Sequence, residues 1–82
     1  MLIITPSARR DVRRLDPPIK RRIEEALDRL AADPGAAQLR RLTGRPQSRL
    51  RVGDWRILVE LDHQASTVVV HQVLPRGRAY DR

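Results

Sequence analysis

Arg49-Leu50-Arg51-Val52-Gly53-Asp54-Trp55-Arg56-Ile57-Leu58-Val59-Glu60-Leu61 is the stretch whose reading decides the fold. Its first four residues alternate with period two, so Leu50 and Val52 share one face of a strand and Arg49 and Arg51 the other. Gly53-Asp54 supplies a turn, and Gly53 reads as structural. The second run alternates again, with Trp55, Ile57, Val59 and Leu61 on one side and Arg56, Leu58 and Glu60 on the other. The result is a hairpin with an apolar inner face, where Trp55 packs. Arg49, Arg51 and Arg56 then share the outer face, with Leu58 as the exception. One basic residue on such a face is ordinarily just solvated, but three together point to an anion site.

Working outward from the hairpin, Asp62 to Ser66 reads as a turn and Val68 to Leu74 as a nearly continuous apolar run. Such a run suits a central strand covered on both faces, and Pro75 stops it. His71 inside it reads as a buried, hydrogen-bonded imidazole rather than a catalyst, and Glu60 and Asp54 read as ion-pair partners. On the other side, Ala36 to Ser48 has no periodicity and reads as a loop with at most one helical turn, into which Leu39 and Leu42 dip toward the core. Ile19, Ile23, Ala26, Leu27 and Leu30 form a helical stripe, opened by Asp16-Pro17-Pro18 and closed by Asp33-Pro34-Gly35. Ala8, Val12 and Leu15 mark a shorter helix with Arg9, Arg10, Asp11, Arg13 and Arg14 on its remaining faces. Thr5 caps that helix, Pro6 suits its first turn, and Leu2-Ile3-Ile4 is a short first strand. The order βααβββ predicts one α+β domain over residues 1–82, a two-helix hairpin packed on a small, mainly antiparallel sheet.

Composition narrows the function. With 82 residues there is room for one modest core, and with no Phe, one Trp and one Tyr that core is aliphatic. Seventeen basic residues against ten acidic ones give a charge of +7, and Lys20 is the only lysine. Arginine is always charged and forks onto phosphate oxygens, which points to a polyanionic partner. A bias toward arginine on an ordinary solvated surface accounts for the composition equally well. The absence of cysteine excludes disulfides and thiolate chemistry, and two histidines are too few for a protein-only metal cage. No cofactor is expected, and any catalysis should be metal-independent. Met1 to Ile4 falls short of a signal peptide and no run approaches a membrane span, so a cytoplasmic protein with no membrane partner is expected.

Four blocks together resemble the RelE/ParE toxin superfamily of type II toxin–antitoxin systems: Thr5-Pro6-Ser7-Ala8-Arg9-Arg10-Asp11 with Leu15, Leu42-Thr43-Gly44, Arg49 to Arg56, and Arg76 to Tyr80. The resemblance spans almost the whole chain. It implies a RelE/ParE-like fold, a cognate antitoxin whose acidic, partly disordered segment wraps the basic domain, and contact with operator DNA only through that antitoxin. The superfamily holds both ribosome-dependent mRNA endoribonucleases, the RelE branch, and DNA gyrase inhibitors, the ParE branch. The RelE branch resembles this chain most in its cationic set and the tyrosine that follows it, which fall on Arg49, Arg51, Arg56, Arg76 and Tyr80. That branch implies ribosome and messenger RNA as partners and a translation-inhibiting nuclease. Gyrase inhibition, or a degenerate member that only binds its antitoxin and helps repress the operon, are the alternatives. Positions 49 and 51 are often Lys in the family. Arginine effectively never gives up its proton, so a general-base role does not carry over to them.

RNA cleavage without a metal needs a proton acceptor for the 2′-hydroxyl, stabilisation of the extra negative charge, and protonation of the leaving oxygen. Arg49, Arg51 and Arg56 supply the charge from rigid strands, Arg76 closes the ring, and Arg78 adds to RNA binding. Tyr80, with an ordinary pKa of about 10 that neighbouring cations would lower, is the candidate base. It is alternatively a stacking platform for a base of the message, or a tail ring packed on the sheet. The outward position of Arg56 predicts that its removal leaves the fold intact. Arg9, Arg10, Arg13, Arg14, Arg21 and Arg22 read as a solvated helical surface, able to grip ribosomal RNA by counterion release.

Overall fold

The computed structural model describes residues 1–34, 39–44, 46–62 and 64–75, and of Arg41 the backbone alone. Chain order is β1 (Leu2–Ile4), α1 (Pro6–Arg13), α2 (Pro17–Ala32), β2 (Leu39–Arg41), β3 (Ser48–Val52), β4 (Trp55–Asp62) and β5 (Thr67–Pro75). The five strands form one sheet in the order β1-β5-β4-β3-β2. β1 runs parallel to β5 and every other pair is antiparallel. The expected α+β arrangement of two helices on a mainly antiparallel sheet is therefore present.

One element differs. The stretch read as a loop contains β2, whose register sets Leu39 against Leu50 and Arg40 against Arg49. A three-residue edge strand is too short to show a period, and its adjacent arginines hide the alternation.

The core lies between the helices and one sheet face. Ala8 and Val12 from α1 and Ile23, Leu27 and Leu30 from α2 meet Leu50, Ile57, Val59, Val68, Val70 and Val73, with Trp55 and Ile19 packed at the margin. Each fully buried aliphatic side chain stabilises by roughly 1.5–3 kcal/mol, which is how an aliphatic core holds so small a domain. Thr5 caps α1 as expected, its Oγ1 accepting the Ala8 N–H at 3.2 Å. Asp16 occupies the corresponding position of α2 without a side-chain cap bond. The turn between β3 and β4 needs Gly53, which has φ +58° and whose missing Cβ would lie 3.3 Å from Arg22 Nη2.

β1 ends at Ile4, opposite Val70, so among the described residues no strand lies beside the outer edge of β5 beyond that point. The entry to α1 covers it instead. The Thr5 N–H donates to the Val70 carbonyl (3.1 Å) and Thr5 Oγ1 donates to the His71 carbonyl (3.2 Å). The Val73 N–H donates to Asp11 Oδ2 at 3.0 Å. Asp11, on one of the helix's non-apolar faces, therefore satisfies a strand-edge donor, because an unmatched part-buried N–H is costly.

Candidate functional site

The face of the sheet away from the helices carries the arginines. Arg51 stands directly opposite Arg56, and Arg49 opposite Leu58, so the three predicted side chains share this face through strand register alone. Arg40, in register with Arg49, joins the same face. It was missed because its strand was. Across the sheet these residues fall into two rows, Arg40–Arg49–Leu58–Gln72 and Arg51–Arg56–Leu74.

Their exposures differ. Arg40 and Arg51 are exposed and Arg49 is half-buried, but Arg56 is only 4% exposed, with its Nη1 closed off from solvent. The expectation of a solvent-facing Arg56 is corrected in depth though not in direction. β4 is the middle strand of five, and Arg56 lies between the side chains of Arg51 and Leu74 in adjacent strands. A guanidinium cannot neutralise itself when buried, so this position holds a permanent charge in surroundings of reduced dielectric. Charge fixed in place in this way interacts with an anion more strongly than a solvated surface charge does. Leu58, the exception to the polar set, is 7% exposed and forms an apolar floor beside it.

Further along the same face, Glu60 Oε1 and His71 Nε2 are 3.0 Å apart, with side chains 41% and 29% exposed. Glu60 is thus a partner of a polar group, as expected. His71 is not sealed in a core, because it follows the core-facing Val70 and turns to the face the helices leave open, and β5 has an irregularity there. Leu58 pairs with Gln72 and Val59 with Val70, which leaves His71 as an extra residue on β5.

Between α2 and β3 runs a groove of about 760 Å³, floored by Ala26, Leu30 and Leu50 and lined also by Arg22, Arg29 and Arg51 and by Glu25 and Asp33. Arg51 therefore borders both the groove and the open face. Arg76, Arg78 and Tyr80, the remaining predicted site residues, lie outside the described residues. Among the described residues no three potential ligand side chains gather as a metal site would require, and no helix is long and apolar enough to cross a membrane.

With this geometry in view, comparison with known proteins is specific. Residues 2–80 match the profile of the ParE toxin of the type II toxin–antitoxin system parDE. Among solved structures, the toxin–antitoxin complex RelBE2 of Mycobacterium tuberculosis contains a chain 28% identical to this one, with a TM-score of 0.79, covering 93% of this chain and 96% of that one. A chain of the archaeal RelE–RelB complex of Pyrococcus horikoshii has the same fold at 23% identity, with a TM-score of 0.80 and 94% of each chain covered. The isolated RelE toxin of Escherichia coli shares the fold at 17% identity, with a TM-score of 0.76 and 98% of this chain and 87% of that one covered. No curated protein sequence matches. The match along residues 2–80 and the fold of two helices on a five-stranded mixed sheet place the chain in the RelE/ParE toxin superfamily, as a member of the ParE toxin family of type II toxin–antitoxin systems.

Proposed function

We propose that this toxin is an endoribonuclease that cuts messenger RNA on the ribosome, and that its open sheet face is the RNA site. The observation that carries the reading is the buried, permanently charged Arg56, flanked on the same face by Arg49, Arg51 and Arg40. Such a set favours the phosphorane-like transition state, which carries more negative charge than the ground state. The reaction needs no metal: the 2′-oxygen attacks its own phosphorus, the P–O5′ bond breaks, and two protons move. Arg76 and Arg78 extend the cationic set, and Tyr80 takes the 2′-hydroxyl proton or stacks on a base.

The cognate antitoxin is the other partner. Toxin–antitoxin complexes recur among the similar structures, and the groove between α2 and β3, with its apolar floor and a mixed lining of three arginines and two acidic residues, suits an amphipathic segment. Operator DNA is reached only through that antitoxin.

The match to the ParE profile favours a second reading, in which the chain inhibits gyrase without cutting anything. Inducing the toxin alone in cells separates the two. The nuclease reading expects translation to stop first with messages cut, and co-expression of a small acidic protein from the neighbouring frame to restore growth. Arrested replication with intact messages would establish the second reading.

A further inference from the structure

We propose that His71, held by Glu60, is the general acid that protonates the leaving 5′-oxygen during RNA cleavage. This rests on the nuclease reading above and assigns the proton transfer that the arginines cannot perform.

β5 carries one extra residue in its pairing with β4. Val68 and Val70 face the core, so alternation turns His71 to the open face, and an undisturbed strand would then send Gln72 to the helix side and Val73 outward. The extra residue instead lets His71 and Gln72 stand together on the open face, His71 beside Glu60, while Val70 and Val73 both stay in the core. Bulges of this kind re-aim a side chain and are common beside active sites.

Position follows from register. Gln72, next to His71, occupies the row that runs through Leu58 to Arg49. Strands lie about 4.8 Å apart, so the backbones of β3 and β5 are separated by about 10 Å over Leu58. An arginine reaching from one side and an imidazole from the other can hold one phosphodiester over that floor. The groups that face His71 are Glu60 on β4 and, across Leu58, Arg49 on β3. β1 offers only apolar Ile3 in the neighbouring row, and α1 offers the Thr5 hydroxyl, which binds the His71 carbonyl.

The hydrogen bond sets the chemistry. A carboxylate only accepts, so Nε2 is the donor to Glu60, and Nδ1 is left as the nitrogen that can meet RNA. In the imidazolium both nitrogens carry protons. As the 2′-oxygen bonds to phosphorus and the P–O5′ bond breaks, the Nδ1 proton passes to the 5′-oxygen. The products are a 2′,3′-cyclic phosphate and a 5′-hydroxyl, and the ring is left as the neutral Nε2–H tautomer, still bound to Glu60. Glu60 touches no reacting atom and acts as a positioning residue.

The test uses the full-length toxin on programmed ribosomes with two messages, one ordinary and one bearing sulfur in place of the scissile 5′-bridging oxygen. A thiolate leaves without protonation, so loss of a general acid matters only for oxygen. H71Q is expected to cut the ordinary message about a hundredfold to ten-thousandfold more slowly than wild type and the sulfur message at close to the wild-type rate. E60Q, which keeps the imidazole, is expected to show a smaller defect with the same selectivity for oxygen, and it decides the matter if H71Q does not fold. Equal cutting by H71Q and wild type, or equal losses on both messages in a folded variant, would overturn the assignment and leave the nuclease reading standing. A wild-type protein that cuts neither message would remove both.

Discussion

Ile57 and Arg56 are neighbours on the central strand and point to opposite faces of one sheet, yet both are buried, at 0% and 4% exposure. Beneath the helices, depth is achieved by apolar groups from α1 and α2. On the open face, the same depth is reached by a cation between Arg51 and Leu74. Alternation along a strand tells which side a residue takes. How deep it lies depends on which strands flank it, and that is a property of the assembled sheet. The helix face is built for stability and the open face for charge, and variants on the two should fail in different ways.

The largest expected effect is on the helix face. Ile57→Ala should lower stability by about 2–5 kcal/mol, measured by urea unfolding, because it removes a fully buried side chain and leaves a cavity. Where that variant remains folded, its RNA cutting should stay near wild type. Arg56→Ala should show the converse, with cleavage down about a hundredfold or more in single-turnover assays and a smaller stability loss than Ile57→Ala. Equal stability losses in the two variants would erase the distinction between the faces.

Two smaller effects sharpen it. Asp11→Ala should cost about 1–3 kcal/mol, since it strands the Val73 N–H at the β5 edge. Asp11→Asn, which keeps an acceptor, should retain most of that stability. Arg51→Ala, at an exposed position, should leave stability within about 0.5 kcal/mol while weakening RNA binding and lowering the slope of log affinity against log salt by about 1.

Much of this molecule was legible before its structure. The hairpin register, the two helices with the Thr5 cap, and the grouping of Arg49, Arg51 and Arg56 on one face follow from local periodicity, which needs no knowledge of distant neighbours. What escaped was non-local. β2 is too short to carry a period, so Arg40 went unrecognised. Asp11 looked like one more polar residue on a basic helix, because its partner Val73 is 62 positions away. His71 looked like a core imidazole because a nearly continuous apolar run suggests cover on both faces, whereas the helices pack on only one face of this strand. The roles of Arg76, Arg78 and Tyr80 come from family resemblance and remain part of the proposal.

The central claim is that the arginine-bearing face cuts RNA, and purified toxin on programmed ribosomes tests it most directly. The account predicts messages cleaved without added metal, with 2′,3′-cyclic phosphate ends, by wild type and not by Arg56→Ala. Intact messages in the presence of wild-type toxin, with the same preparation trapping gyrase on DNA, would contradict it.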